Sequence, residues 1–477
     1  MRTLITLIIA TLATISSAQV GQPAFEEFTP VFEQGSLNPP SYNPPRNILQ
    51  HQRQLQQKQI EQQNRESMRR WGYNPPPTQE EIAADLERQR KGQFQQNNKQ
   101  KEIDEVLKEL NQASGDDYKR GLVYNEYYKS TEFATITQPF HKAFNSLKNM
   151  EEGNAHLSVK DAYYITENAY GNVYLSYQDY TKTINSSVQF IKYWLQENHY
   201  NLKDNQALNY GIQRFMQDTL RISKPFQQTH LPFYYDYYDY AGEEDYRNIH
   251  VTKTLATGTG QCHTLPSVYC ILAEGLGATA YLSYAPLHSF IKYPDRKGNI
   301  HNYEPTSYWL MSDQWYMDDL PLKAEAERNR IYLDTLNKIK IVASCITFLA
   351  AEYRERFGVA DGTFLLECAD FALKFFPNEA DIQGQLLRVS VYGTKLHRVL
   401  TNYGIKHLED IDKAPGAREL YNQLYKVNRK LESLGYQELP KEAFKYLEDY
   451  HEQKRKLQEK NKINTKIKRK QFITSTR

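Results

Sequence analysis

At 477 residues the chain is longer than one typical domain, and two folded units with tails are expected. A hydrophobic fraction of 40% and a mean hydropathy of −0.74 are low for a chain compact throughout, so part of it should stay unburied. Lys+Arg at 59 against Asp+Glu at 57 is near balance, which argues against a nucleic-acid partner.

In chain order, Arg2 precedes an apolar stretch from Leu4 to Ile15, and Ser16-Ser17-Ala18 supplies the small residues a signal peptidase reads. Residues 1–18 are read as a signal peptide and the protein as exported, periplasmic or secreted. The stretch is too short to span a bilayer as a stable helix, and nothing later approaches about 18 uninterrupted apolar residues. No transmembrane segment is expected beyond the signal peptide. No cysteine precedes Cys262, which leaves no lipoprotein-type anchor at the cleavage site.

Residues 19–77 should be disordered. "SLNPPSYNPPRN" and "WGYNPPPTQEE" carry prolines that block helix and sheet, and a glutamine-rich run lies between them. Residues 78–115 turn helical, with Ile82, Leu86, Ile103, Val106, Leu107 and Leu110 partly in register, as a linker. Residues 116–324 predict a mixed α+β domain. "NSSVQFIKYWLQENH" and "NQALNYGIQRFMQDTL" have helical apolar spacing, whereas "ATAYLSYAPLHSFIKY" and "NIHNYEPTSYWL" read as strands. Residues 325–455 return to amphipathic helices separated by Gly or Pro, either a bundle or a tetratricopeptide-like repeat suggested by Leu434, Gly435, Ala443 and Tyr446. The segment 456–477 is a basic, solvated tail.

The chemistry centres on "TGTGQCHTLP", residues 257–266. Leu265, Val268, Tyr269, Leu272 and Leu276 form one apolar helical face after Cys262. Proline is tolerated only in a first turn, so Pro266 requires that helix to begin within about a turn of Cys262. The sulfur then sits by the positive end of the helix dipole, the setting in which thiol nucleophiles are found. His288 is the candidate base. It opens "HSFIKY", which leads through the turn "PDRKGN" to "IHNYEP". A hairpin centred near Arg296 would put Glu304 opposite His288 on one face, where a carboxylate orients an imidazole. A one-residue slip would turn Glu304 away.

"GQC" at 260–262, a helix ending in "AEGLG", a strand, a histidine and an acid in the next strand together resemble the transglutaminase-like superfamily. The resemblance covers roughly residues 230–320. It implies a papain-like core with Cys262 as nucleophile, His288 as acid/base and Glu304 as orienter. The third member is Glu where the family more often has Asp, and the Cys-to-His interval is short. Gln261 is a candidate oxyanion donor beside the backbone N–H of Cys262. Tyr237 and Tyr240, in the tyrosine-acid run "PFYYDYYDYAGEEDYRNIH", are candidates to line a cleft.

Other fates for Cys262 remain open: a structural residue of an inactive domain, a disulfide, or a zinc site with His263, His288 and His301. No CxxC or HExxH spacing supports zinc. Cys262 and Cys270 would lie about 12 Å apart along a helix, beyond the ~7 Å a disulfide spans. Cys345 with Cys368 is conceivable, and buried structural thiols are the default for Cys270, Cys345 and Cys368. The expectation is an exported thiol enzyme, with a papain/transglutaminase-like domain and an all-α C-terminal domain, hydrolysing peptide or amide bonds without a cofactor or metal. A peptide or protein is its expected substrate, and the helical domain is expected to bind a protein partner. The opposing expectation is an inactive domain acting as a peptide-binding scaffold in the cell envelope.

Overall fold

The structure, a computed structural model, describes residues 127–225, 227–319, 322–405, 407–438 and 452–456. The segments read as signal peptide, Pro/Gln-rich stretch and helical linker and nearly all of the basic tail lie outside the described residues, as do Ala443 and Tyr446. The described part is mixed but mainly helical, with small sheets.

Four helices come first: α1 (Thr131–Glu151), α2 (Val159–Tyr170), α3 (Tyr177–Glu197) and α4 (Asn205–Gln217). Each begins where a short polar side chain can accept a hydrogen bond from the first turn. Ser130, Ser158, Ser176 and Asp204 do so in turn. Each cap satisfies a backbone N–H that lacks an intrahelical partner, and its loss costs about 1 kcal/mol. Helix α3 buries Tyr180, Ile184, Val188, Ile191 and Leu195, one stripe at helical spacing.

Short strands follow. β1 (Leu220–Ile222) pairs antiparallel with β2 (Gln228–His230), and β3 (Tyr234–Tyr235) pairs parallel with β4 (Thr259–Gly260). Between β3 and β4 lies α5 (Val251–Thr257), ended by Gly258 in the left-handed region at φ 71°. Helix α6 (Thr264–Leu276) begins two residues after Cys262, with Pro266 in its first turn. All five residues of its expected apolar face are buried, and so are Ile271 and Ala273 on the other side. Helices α2 to α5 and the main sheet surround it. Gly275 permits the close approach of α3, since a Cβ there would lie 2.6 Å from Val188 Cγ2.

The main sheet is an antiparallel meander of β5 (Tyr281–Ala285), β6 (His288–Pro294), β7 (Ile300–Glu304) and β8 (Trp309–Met311). Pro286 and Leu287 make the β5–β6 turn, closed by the pair Ala285↔His288. Proline presets the first central position, which forces Leu287 to φ 55°, a conformation usually left to Gly or Asn. In the next hairpin Tyr293 pairs with His301 and Ile291 with Tyr303, so the turn is centred on Lys297 rather than Arg296. Asp295 fixes that centre by accepting from the Lys297 and Asn299 backbone N–H groups. Moving the centre by one residue moves every pair by two. Continuing the register puts Glu304 across from Phe290, one diagonal step from His288 and still on its face.

Helices α7 (Asp313–Asp319) and α8 (Ala324–Arg328) lead to α9 (Lys338–Phe357), α10 (Thr363–Ala372), α11 (Ile382–Asn402) and α12 (Ala417–Leu434). The last four pack each against the next, consistent with a helical repeat. Packing also continues across residues 324/325. α9 and α10 share one core with α1–α6, through edge-on rings such as Phe140 with Tyr353 at 5.4 Å and Phe144 with Phe371 at 5.8 Å. A second core joins α11 and α12 to Ala285, Phe290 and Tyr316.

Candidate active site

Three pieces of chain bring Cys262, His288 and Glu304 together. The first is the turn before α6. Tyr234 pairs with Thr259 and Tyr235 with Gly260, and Asp236 N–H donates to the Gly260 carbonyl at 2.8 Å. A Cβ on Gly260 would lie 2.6 Å from Thr264 Oγ1 and 2.8 Å from Thr254 Cγ2, so a side chain there must push the turn apart. The second piece is β6. The Ser289 hydroxyl donates to the Cys262 carbonyl at 2.5 Å, and Cys262 Sγ lies 3.9 Å from the Leu287 carbonyl oxygen. The strand bearing His288 is thereby fastened to the cysteine backbone. The third is the end of β7, which carries Glu304.

His288 Nε2 lies 2.5 Å from Glu304 Oε2. That oxygen also accepts from the Tyr316 hydroxyl at 3.0 Å. Oε1 accepts from the Thr306 hydroxyl at 2.7 Å and the Thr306 N–H at 3.2 Å. The carboxylate therefore has four donors and one orientation. Tyr316 is itself held by stacking on Phe290, with ring centres 4.1 Å apart.

Burial is the largest influence on His288 and disfavours its charge. The Glu304 charge outweighs it together with hydrogen bonds between the ring and the Cys262 and Glu304 side chains, and the imidazole pKa rises above its ordinary value. Burial likewise pushes Glu304 up, but the His288 charge and the His288 and Thr306 hydrogen bonds bring it below the usual carboxylate value. Both shifts favour imidazolium with carboxylate. A positive ring beside a sulfur stabilises negative charge that develops there.

Gln261 is buried, but its amide faces the α5–α6 junction. Its oxygen accepts from the Thr264 hydroxyl, and its nitrogen donates to the Asn248 carbonyl at 3.4 Å. Its observed part is to hold the turn. Tyr237 and Tyr240 are half-buried against the main core. Tyr235 is closer to the chemistry. Its hydroxyl is pushed well above its usual pKa, first by burial and then by Cys262, Tyr237 and Tyr240. Sequence reasoning missed Tyr235, Ser289, Thr306 and Tyr316. Tyr316, twelve residues after Glu304, had only the signal of an aromatic in a short helix after Ser312.

The site is enclosed, with Cys262 2%, His288 7% and Glu304 1% exposed. The residues weighed for zinc do not converge. His263 packs on Phe348 at 4.5 Å, and His301 lies 3.1 Å from Asp295. Among the described residues no group of three or more His, Cys, Asp or Glu side chains could hold a metal ion. None of the four cysteines is in a disulfide and all are buried, and burial raises the thiol pKa of Cys270, Cys345 and Cys368. Among the described residues no helix is long and apolar enough to cross a membrane.

Comparisons with protein-family models, curated proteins and solved structures gave no match to this chain.

Proposed function

We propose that the chain is an exported cysteine enzyme of transglutaminase-like, papain-type design, cleaving a peptide or amide bond through a thioester on Cys262. In this reading His288 already carries the thiol's proton as imidazolium, and Sγ attacks the amide carbonyl as thiolate. The imidazolium returns that proton to the departing amine, leaving an acyl-thioester. Water then attacks the thioester carbonyl and gives a proton to His288. The acid leaves, and the thiolate is restored beside the imidazolium. Glu304 holds the ring so that Nδ1 is the nitrogen left for the sulfur. Backbone N–H groups opening α6 supply the oxyanion donors.

The observation that carries this reading is the 2.5 Å His288–Glu304 contact between buried partners beside the cysteine at a helix N-terminus. Mixing the full chain with a p-nitrophenyl ester tests it. A burst of p-nitrophenol and an acyl adduct on Cys262 by mass spectrometry are expected, both absent in Cys262→Ser. Equal turnover by the two proteins would reject it. The enclosure of Cys262 favours a second reading, an inactive domain that holds a peptide or envelope partner. That reading requires partner binding to survive Cys262→Ser and no acyl adduct to form.

A further inference from the structure

A separate buried polar site lies between α2, α5, α6 and α9. A cavity of about 60 Å³ is walled by Glu167, Tyr246, His250, His263, Phe348 and Glu352, among others. Glu167 has a structural task, since it accepts the Val251 and Thr252 N–H groups and so caps α5. Glu352 has no such task. It is 4% exposed, its Oε1 lies 3.0 Å from His250 Nε2, and its Oε2 has no hydrogen-bond partner. His250 is 1% exposed, and neither ring nitrogen has an aligned hydrogen bond.

A carboxylate in this position is costly. Removing an ion from water costs several kcal/mol unless a counter-charge and hydrogen bonds compensate, and an apolar residue of similar size generally serves stability as well or better. The titratable groups that face it are Glu167, Glu355, His250, His263, Tyr163, Tyr246 and Arg354. Arg354 is the one fixed cation in that set, and its guanidinium reaches towards Ser390 at 3.5 Å. Burial alone drives Glu352 well above the usual carboxylate range, with nothing offsetting it. The wall thus offers spare acceptors and aromatic rings, and its one fixed cation, Arg354, is directed towards Ser390.

We propose that this cavity binds a compact primary ammonium cation, ammonium or methylammonium in size and chemistry. Such a cation would donate to Glu352 Oε2 and to a His250 nitrogen, with the Tyr246 and Phe348 rings beside it. A volume of about 60 Å³ is matched by a cation of only a few non-hydrogen atoms. Binding ionises Glu352, so it releases a proton. The site depends on neither Cys262 nor His288.

The test is calorimetric titration of the full chain with methylammonium chloride, in phosphate and again in PIPES to count protons. Sodium chloride and tetramethylammonium chloride at equal ionic strength are the controls. Saturable binding of methylammonium alone is expected, with proton release. It should weaken about tenfold or more in Glu352→Gln and persist in His288→Gln. Gln has the shape of the protonated acid, so that variant should fold. If it does not, Phe348→Ala decides, because enlarging the cavity should shift preference from methylammonium towards ethylammonium. Absence of saturable binding, binding unchanged in Glu352→Gln, or unchanged size preference in Phe348→Ala would overturn the proposal.

Discussion

Replacing Glu304 with Gln keeps the side chain's size and removes its charge. The carboxylate takes four donors, from His288, Tyr316 and both the N–H and the hydroxyl of Thr306. An amide cannot serve all four. The Thr306 N–H is fixed, whereas hydroxyls rotate, so the Gln oxygen should face Thr306 and its NH₂ should face His288 and Tyr316. His288 Nε2 must then accept, the ring proton moves to Nδ1, and the nitrogen intended for Cys262 can no longer take its proton. In a serine protease triad the equivalent change of tautomer costs about 10⁴ in turnover. Loss of a charge-assisted hydrogen bond should also cost about 1.5–3 kcal/mol of stability.

That stability cost has a pH signature. The His288 pKa is raised in the fold, so its contribution is complete below the unfolded value of 6.5 and is lost as pH rises through the folded one. The Glu304 pKa is lowered, so its contribution is complete above 4.5 and is lost as pH falls through the folded value. The wild-type-minus-variant gap in urea unfolding should therefore be widest between pH 4.5 and 6.5 and shrink on either side. A gap constant from pH 5 to pH 10, or a variant that reacts at the wild-type rate, would refute the reasoning.

Tyr316→Phe removes one donor to Glu304 and keeps the stacking on Phe290. About 1 kcal/mol of stability and a several-fold loss of Cys262 reactivity are expected, measured by urea melts and thiol labelling. Gly260→Ala should fail to form the turn before Cys262, because the added Cβ meets Thr254 and Thr264 at under 3 Å. Lower Tm and loss of Cys262 reactivity would be seen together, and a native-like protein would contradict the close approach. Burial lowers the pKa of His230 to about 3 and of His263 to about 4. Unfolding lets each take a proton, which removes about 2 kcal/mol of stability per histidine between pH 7 and pH 5. His288, whose contribution is nearly complete by pH 6.5, offsets only a fraction of one, and His250, lowered by burial, adds to the loss. The stability difference between His230→Phe and wild type in urea unfolding should therefore move in the variant's favour from pH 7 to pH 5, and a difference constant over that range would contradict the burial of His230.

The local patterns in the sequence carried the parts of the fold that they themselves determine. The apolar face from Leu265 to Leu276 and the limit set by Pro266 located α6 and put Cys262 just before it. The pairing of His288 with Glu304 survived an error in the turn because strand faces alternate with period two, and a shift of one in the centre preserves parity. Non-local features were not legible. Nothing in "PFYYDYYDY" shows that Tyr235 will pair with Gly260, 25 residues later, or that the site will be enclosed. Helix α9 buries Ile341, Val342, Cys345, Ile346, Leu349 and Tyr353, yet its spacing cannot say that the partners are α1 and α2.

The central claim is that His288 activates Cys262. The most direct measurement is the iodoacetamide labelling rate of Cys262 at pH 6, read by peptide mass spectrometry, in wild type and in His288→Gln. Each rate is normalised to the same protein unfolded in urea. The account predicts that wild type labels much faster than the variant, with Cys270, Cys345 and Cys368 unlabelled in both folded proteins. Equal rates for the two proteins would contradict it.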